Sequence, residues 1–268
     1  MRQIFPEHSD PLGPADPLSA AGPLRPGDSA AEDLVAALAD IYAYPGGADQ
    51  VWVRANFVAS IDGAIAADGK SGGLSGPADR MVFTVLRSLA DVVVAGASTV
   101  RTERYRQAQP GELWQRLRTG RPPAPPIAVV TRRLELDLSD RLFGQGPDRA
   151  RTIVLTTELA GEERLKEASR VADVVVAGAH TVTVQAMLDA LAARGHHRIL
   201  VEGGTMLLGQ LVEVHMLDEL CLTVSPVIEG GHGGGRLTSS NGPAGLTEMR
   251  LESVLEDDGF LLTRYIRA

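Results

Sequence analysis

The stretch Ile199-Leu-Val-Glu-Gly-Gly-Thr-Met-Leu-Leu-Gly-Gln-Leu-Val212 joins a short aliphatic strand to a helix through two adjacent glycines. The predicted strand ends at Glu202, and the predicted helix opens at Thr205. Gly203 and Gly204 have no side chains, so the backbone there can approach a ligand closely. The unpaired amide groups at the start of a helix favour an anion. This pattern predicts an anion cradle, and a tight strand-to-helix turn without a ligand is the alternative interpretation.

On both sides of this stretch the sequence alternates between strand and helix patterns. The predicted strands are 51–59, 92–95, 127–131, 153–156, 174–177, 198–201 and 219–224, and the predicted helices are 77–89, 158–169, 183–193 and 206–212. Strands separated by helices predict crossover connections and a mainly parallel sheet. Residues 249–255 and 260–266 predict an antiparallel hairpin that turns at Asp258-Gly259. The predicted fold class is α/β, with a mixed, mostly parallel sheet flanked by helices.

The first 48 residues differ in composition from the rest of the chain. Prolines at 6, 11, 14, 17, 23 and 26 are mixed with Gly, Asp and Ser, a composition that favours extended chain over a packed core. Residues 32–44 have apolar side chains at helical spacing, and Pro45-Gly-Gly ends that helix. We therefore predict a proline-rich arm with a short helix over 1–48 and a globular domain over 49–268.

Composition and charge narrow the possible partners. The 268-residue chain is 44% hydrophobic, and its formal net charge is -8. An acidic chain is not expected to bind nucleic acid or an anionic membrane as its main partner, because both need a basic surface. No apolar run approaches the roughly 20 residues that span a bilayer, and we expect a cytoplasmic protein. The one cysteine, Cys221, and the scattered histidines predict no disulfide and no metal site.

One ten-residue segment occurs in two nearly identical copies. Residues 90–99, Ala-Asp-Val-Val-Val-Ala-Gly-Ala-Ser-Thr, recur at 172–181 with a single difference, Ser98 against His180. Each copy predicts a buried parallel strand, a glycine turn and a hydroxyl residue where a helix begins. We predict that Gly96 and Thr99 of the first copy contact a ligand. For the second copy we favour a repeated crossover without a ligand.

Thr131-Arg132-Arg133 follows a predicted strand at its carboxyl end, where ligands bind in open α/β sheets. A hydroxyl and a guanidinium suit a ribose 2′-phosphate, which predicts NADPH rather than NADH. Arginines that only solvate an exposed loop are the alternative. The sequence has no Gly-x-Gly-x-x-Gly after its first strand and no Gly-Lys-Ser/Thr loop, so it lacks the standard Rossmann and Walker nucleotide motifs.

Several motifs in a fixed order identify a family resemblance. They are Asn56-Phe-Val-Ala-Ser-Ile-Asp-Gly63, Leu74-Ser-Gly-Pro-Ala-Asp-Arg80, Val85-Leu-Arg87, Val94-Ala-Gly-Ala-Ser-Thr-Val100 and Val201-Glu-Gly-Gly204. From about Val51 onward the chain resembles the reductase domain of the bifunctional riboflavin-biosynthesis deaminase/reductase, a dihydrofolate reductase-like protein. The resemblance implies a dihydrofolate reductase-like fold, NADPH-dependent reduction of the ribosyl group of a phosphorylated aminopyrimidine, and a homodimer. The zinc motif of the deaminase half is absent, which implies a stand-alone reductase.

The resemblance and the strand-end pattern together assign candidate roles to individual residues. The predicted cofactor contacts are Ser75, Gly96, Thr99, Val100, Thr131, Arg132, Glu202, Gly203, Gly204 and Thr205. The predicted substrate contacts are Asn56, Ser60, Arg80 and Arg87, and the predicted catalytic residues are Asp62 and Glu103. In this assignment Arg87 pairs with the substrate phosphate through two hydrogen bonds, and Asp62 bonds a ribityl hydroxyl or helps to route a proton. Asp62-Gly63 as a simple turn is the alternative.

The chain departs from the family pattern at two places. The family commonly has a lysine at the position of Asn56, and Asp-Asp-Pro or Asp-Asn-Pro at the position of Glu103-Arg104-Tyr105. Asn56 brings no cation to the substrate carbonyl, and Glu103 has to replace a shorter carboxylate. Three functions therefore remain open: a pyrimidine reductase of the riboflavin pathway, a reductase of the same fold for a pterin or dihydrofolate, and a non-catalytic NADP-binding protein.

Overall fold

The structure is a computed structural model that describes residues 1–6, 29–47, 49–108, 112–144, 150–230, 235–239 and 245–268. Residues 7–28, which hold most of the predicted proline-rich arm, lie outside the described residues. Residues 51–268, over which the sequence predicts alternating strands and helices, are described except for short gaps.

The described residues form one ten-stranded sheet. The strands are β1 (Arg2–Phe5), β2 (Trp52–Ser60), β3 (Val92–Gly96), β4 (Ile127–Val130), β5 (Ile153–Thr156), β6 (Asp173–Val176), β7 (Arg198–Val201), β8 (Glu219–Ser225), β9 (Met249–Asp257) and β10 (Phe260–Arg267). They are ordered β1-β9-β10-β8-β2-β7-β3-β4-β5-β6. The run from β8 to β6 is parallel, and β9, β10 and β1 add antiparallel pairs at one side. The predicted mixed, mostly parallel sheet with a hairpin at the C-terminal end is confirmed.

Helices cover both faces of the sheet. They are α1 (Ser29–Ile41), α2 (Pro77–Leu89), α3 (Ala97–Glu103), α4 (Glu112–Leu117), α5 (Glu162–Ala168), α6 (Val184–Ala192) and α7 (Thr205–Glu213). Because side chains alternate along a strand, β3 supplies both faces. Val93 belongs to the hydrophobic cluster that contains the apolar sides of α1 and α2. Val92 and Val94 belong to the cluster that contains those of α6 and α7.

Several local features differ from the sequence prediction, among them helix α4, which was not predicted. The predicted helix over 158–169 is divided, because Gly161 has φ +76 between a single 3₁₀ turn (Glu158–Ala160) and α5. Strand β1 was not predicted, and it pairs antiparallel with β9 through Arg2 opposite Glu256. The N-terminal helix begins at Ser29 instead of 32, and Leu38 on this helix is fully buried in the core. The helix of the predicted arm therefore packs on the globular domain.

Candidate functional site

A cleft with a volume of about 880 Å³ opens beside β2, β7 and the helices α2 and α3. The segments that line it come from the middle of β2, the face of α2, the end of α3 with the chain that follows it, and the turn after β7. Ten of the predicted site residues line this cleft: Asn56, Ser75, Arg80, Arg87, Thr99, Glu103, Glu202, Gly203, Gly204 and Thr205. The fold thus brings together residues that are widely separated in sequence.

The glycine turn forms one wall of the cleft and packs tightly on α3. A Cβ atom at Gly204 would lie 2.9 Å from Oγ1 of Thr99, and one at Gly203 would lie 3.3 Å from the same side chain. Gly203 also has φ +124, a backbone conformation that side chains disfavour. The Gly96 amide donates a hydrogen bond to the Gly203 carbonyl at 2.8 Å, which joins the turn to the end of β3. Conformation therefore favours glycine at 203, and contact with the Thr99 side chain restricts a larger residue at 204.

Helix α7 starts directly after this turn. Gly204 is its N-cap residue, so no side chain caps the first amide groups. Uncapped amides and the helix dipole make the start of a helix favourable for an anion. The described geometry therefore agrees with an anion cradle, and it leaves Thr205 at the edge of the cleft.

Glu202, the residue before the glycines, is bound by two side chains. Its Oε1 accepts from Arg87 Nε at 2.7 Å and its Oε2 from Arg87 Nη2 at 2.6 Å. The Tyr105 hydroxyl donates to Oε2 at 2.7 Å. The Glu202 side chain is only 2% exposed. In this structure Arg87 lines the cleft and uses Nε and Nη2 for Glu202. The two-bond grip predicted between Arg87 and a substrate phosphate stays a prediction.

Aromatic rings and charge surround Arg87 and shift the pKa values of Arg87 and Tyr105. The Arg87 guanidinium lies 4.3 Å from the ring centre of Phe83 and 5.4 Å from that of Tyr105. Burial alone would lower the pKa of Arg87, but the negative charge of Glu202 raises it above its usual range. Burial raises the pKa of the Tyr105 hydroxyl, and Glu202 raises it further. Tyr105 therefore stays protonated and donates. The bond from Tyr105 to Glu202 was not predicted from the sequence, in which Tyr105 was noted only because it replaces the proline common in the family.

Ser60 and Asp62 lie at the end of β2 and are not among the residues that line the cleft. Asp62 accepts hydrogen bonds from the Ser60 hydroxyl and from the amides of Glu229 and Gly230, at 3.2 and 3.1 Å for the amides. These bonds, that of Ser60 first, lower the pKa of Asp62 from 3.8 to about 2. Asp62 is therefore ionised at neutral pH, and it anchors the segment that follows β8.

The other predicted polar residues of the cleft make few hydrogen bonds with the protein. Glu103 Oε1 accepts from the Ser71 amide at 2.9 Å. The Ser75 hydroxyl donates to Asp79 at 2.6 Å, and Arg80 Nη1 approaches the Ser75 carbonyl at 3.3 Å. Asn56 is buried on β2 and borders the cleft. These groups surround the cavity with both hydrogen-bond donors and acceptors.

Four predicted cofactor residues do not line the cleft. Gly96 contacts the glycine turn through the bond from its amide to the Gly203 carbonyl, and the Val100 side chain lies in the hydrophobic core. Thr131 is buried, and its Oγ1 accepts from the Leu134 amide at 3.1 Å, while Arg132 is exposed. Thr131 and Arg132 follow β4, which is the neighbour of β3 on the side away from β7.

The second copy of the repeated segment contains β6, at the far edge of the sheet. None of its residues lines the cleft. Among the described residues, no group of three His, Cys, Asp or Glu side chains could hold a metal ion. Within the same residues, no helix has the length and apolar character that crossing a membrane requires.

The sheet order, the glycine turn and the adjoining cleft define an α/β protein of the reductase-domain class that the sequence motifs indicated. Residues 51–261 match the family model of the RibD C-terminal domain. This match covers most of the chain, which therefore belongs to the RibD C-terminal domain family.

Similar proteins agree with this assignment. The chain is 31% identical over 216 residues to the 2,5-diamino-6-ribosylamino-4(3H)-pyrimidinone 5′-phosphate reductase of Archaeoglobus fulgidus, covering 79% of this chain and 96% of the relative. It is 28% identical to the protein of the same name from Methanothermobacter thermautotrophicus, covering 71% and 85%. The crystal structure of a pyrimidine reductase-like protein from Corynebacterium diphtheriae superposes with a TM-score of 0.78 at 27% identity, covering 86% of this chain and 98% of that one.

Proposed function

We propose that the chain is an NADPH-dependent reductase that converts the ribosyl group of a phosphorylated ribosylaminopyrimidine into a ribityl chain in riboflavin biosynthesis. Family membership and the names of the archaeal relatives support the reaction class. The observation that supports it most strongly is the Gly203-Gly204 turn, which offers bare backbone and an uncapped helix start to a cleft large enough for two small molecules.

The residues present fit a nicotinamide dinucleotide. The start of α7 and the glycine turn suit the pyrophosphate, with Thr99 and Thr205 as hydroxyl donors beside it. Ser75 lines the same cleft. When bound, NADPH supplies a hydride. The chain's own contribution is to hold the cofactor by its phosphates and to exclude water from the cleft.

Selection of NADPH over NADH is proposed for the loop after β4. Thr131 accepts a hydrogen bond from Leu134, so its hydroxyl proton is still available to donate to a phosphate oxygen. Arg132 is exposed beside it and adds the charge that a 2′-phosphate requires. Comparing the dissociation constants of NADPH and NADH for Arg132→Gln tests this assignment. A variant that weakens both cofactors equally would contradict it.

The substrate side of the cleft suits an amino-substituted ring. Glu103 uses one carboxylate oxygen for the Ser71 amide, and its second oxygen has no partner among the described residues. A carboxylate oxygen accepts from the amino groups of a diaminopyrimidine, and the Asn56 amide pairs with ring atoms of either polarity. We therefore propose Glu103 and Asn56 as ring contacts, with Arg80 nearby. For Asp62 and Ser60 we propose an anchoring role, because their polar groups already have protein partners.

A cofactor-oxidation assay tests the proposed function. The decrease in NADPH absorbance is followed with 2,5-diamino-6-ribosylamino-4(3H)-pyrimidinone 5′-phosphate, with 5-amino-6-(5-phosphoribosylamino)uracil, and with dihydrofolate. We expect turnover with a phosphorylated aminopyrimidine. Turnover with dihydrofolate alone would assign the chain to pterin chemistry. Tight NADPH binding without oxidation by any of the three would indicate a non-catalytic NADP-binding protein.

We also propose that the protein is a homodimer in the cytoplasm. Ile61, Ile228 and Leu246 are 62%, 72% and 99% exposed. The Ile61 amide bonds the carbonyl of Val227, so the backbone of Ile61 lies beside the residue that precedes Ile228. Apolar side chains exposed in this way are typical of a surface that a partner covers. Sedimentation velocity is expected to give twice the chain mass of 28.4 kDa, and cell fractionation tests the location. A single species at the chain mass would exclude the dimer.

A further inference from the structure

One hydrogen bond joins two walls of the cleft that are far apart in sequence. The Tyr105 hydroxyl, on the segment that follows α3, donates to Glu202 Oε2 at 2.7 Å. Glu202 is the last residue before the glycine turn, and both side chains line the cleft. Glu103, two residues before Tyr105, is the proposed ring contact and accepts from the Ser71 amide. The bond therefore connects the proposed cofactor side of the cleft with the proposed substrate side.

The carboxylate that accepts this bond has a fixed orientation. Arg87 on α2 donates to both carboxylate oxygens of Glu202, at 2.7 and 2.6 Å, and this two-point contact fixes the plane of the carboxylate. The Glu202 side chain is 2% exposed, so little water competes with the Tyr105 hydroxyl. A hydrogen bond to a buried charged group contributes more than a bond between neutral groups. Removal of the hydroxyl would leave the carboxylate with Arg87 alone.

The backbone on both sides of the bond is also held. The Glu202 amide donates to the Val94 carbonyl at 3.0 Å, and the Tyr105 amide donates to the Val100 carbonyl at 3.0 Å. Arg104 ends α3 in the left-handed conformation, with φ 53 and ψ 56, and so turns the chain just before Tyr105. Because both backbones are held, a shift of one wall either moves the other wall or breaks the side-chain bond.

The hydroxyl of Tyr105 distinguishes this chain from the family pattern. The family commonly has a proline at this position, and proline has no hydroxyl. The Tyr105 ring also packs against the hydrophobic cluster of α1 and α2, and a phenylalanine ring keeps that packing. The substitution Tyr105→Phe therefore separates the bond of the hydroxyl from the packing of the ring.

We infer that Tyr105 is a positioning residue whose hydroxyl, acting through Glu202, holds the glycine turn in register with Glu103, a role that rests on the proposed function. A cofactor bound at the turn fixes Glu202, and Tyr105 then fixes the segment that carries the ring contact. Binding of the cofactor therefore prepares the substrate side, and the two ligands bind cooperatively. A misplacement of about 1 Å lowers a reaction rate about 100-fold, so the same bond also affects turnover.

Calorimetry with the oxidised cofactor tests this coupling without turnover. The probe 2,5-diamino-6-ribosylamino-4(3H)-pyrimidinone 5′-phosphate is titrated into the wild type, Tyr105→Phe and Tyr42→Phe, each with and without saturating NADP⁺. We expect the wild type and Tyr42→Phe to bind the pyrimidine about tenfold more tightly when NADP⁺ is present. Tyr105→Phe should bind each ligand alone almost as the wild type does, and it should lose this increase. Tyr42 is the matched control, because it is fully buried, does not line the cleft, and has a hydroxyl without a partner among the described residues.

Kinetics and hydrogen exchange separate positioning from a loss of stability. The kcat of Tyr105→Phe should fall by about 10- to 100-fold while KM for NADPH and for the pyrimidine changes little, because both reactants still bind but are placed less well. Hydrogen exchange measured by mass spectrometry reports the protection of residues 103–108. We expect NADP⁺ to slow this exchange in the wild type and in Tyr42→Phe, and not in Tyr105→Phe.

The outcomes for Tyr105 differ from those for the proposed function. A wild type that binds the two ligands independently, or a Tyr105→Phe variant that keeps the coupling and the protection, would overturn the role of Tyr105 even if NADPH is oxidised. Weaker binding of each ligand alone, with the coupling kept, would show that Tyr105 only supports the fold, which also overturns that role. Protection by NADP⁺ that is lost in Tyr105→Phe, in a protein that oxidises no NADPH with a pyrimidine, would support the link through Glu202 and contradict the proposed function. A wild type that binds no NADP⁺ would contradict both.

Discussion

Replacing Glu202 by Gln tests the buried ion pair behind the glycine turn. The Glu202 side chain is 2% exposed and accepts two hydrogen bonds from Arg87 and one from Tyr105. Glutamine keeps the shape but leaves the Arg87 guanidinium without its anion. Breaking a buried pair from one side costs about 3–5 kcal/mol. Arg87 is 16% exposed and stacks on Phe83, and both features reduce the loss, so we expect about 3 kcal/mol.

A double-mutant cycle measures this energy. Urea unfolding is followed by circular dichroism for the wild type, Glu202→Gln, Arg87→Gln and the double variant. The double variant leaves no isolated charge, so its loss should be smaller than the sum of the single losses by about 2 kcal/mol. The control is Glu252→Gln, which breaks an exposed 2.6 Å pair with Arg250 and should cost less than about 1 kcal/mol.

Two outcomes would show that Arg87 and Glu202 do not form a strong buried pair. The first is a loss for Glu202→Gln no larger than that for Glu252→Gln, since the pair would then be as weak as one on the surface. The second is additivity of the single losses, which would show that the Arg87 and Glu202 side chains are not coupled.

Three further predictions concern other parts of the molecule. Burial raises the pKa of the Cys221 thiol, so the native protein should react with thiol reagents only after denaturant is added, and rapid labelling of the folded protein would contradict the buried position. The pKa of Asp62 falls from 3.8 to about 2 on folding, so Asp62 stabilises the fold above the higher value and loses this effect as pH falls through the lower one. Asp62→Asn should therefore reduce the dependence of the free energy of unfolding on pH between these two values. The same pH dependence in the variant and the wild type would argue against the anchoring role. A Cβ at Gly76 would lie 2.4 Å from Phe260, so Gly76→Ala should cost about 1–3 kcal/mol in urea unfolding, and no loss would mean that the ring moves freely.

Much of the sheet was predictable because its parallel strands are short, aliphatic and separated by helices. The runs at 92–95 and 198–201 are each buried on both sides, and this condition gives a continuous apolar sequence. The hairpin turn at Asp258-Gly259 was also recognisable from its residues. Strand β1 was not, because four residues give no clear pattern and its partner strand β9 is about 250 residues away.

The candidate site was predictable only in part. The glycines at 203 and 204 were found because a close backbone approach restricts the choice of residue. The partner of a charged side chain is not restricted in this way, and Arg87, which lines the cleft, bonds a glutamate 115 residues away. Tyr105 is joined to the same glutamate across 97 residues, and no local pattern contains that pairing. Asp62 similarly bonds amides of a loop 167 residues later, so its role depends on the packing of β2 beside β8.

We claim that the glycine turn binds the nicotinamide cofactor, and calorimetric titration of NADPH into Gly203→Val is the direct test. The control is Gly120→Val, because Gly120 also has positive φ but lies in open space outside the cleft. Circular dichroism first establishes that both variants are folded. We predict that the wild type and Gly120→Val bind NADPH and that folded Gly203→Val does not, since a branched side chain fills the close approach. Wild-type affinity in folded Gly203→Val, or no NADPH binding by the wild type, would contradict the claim.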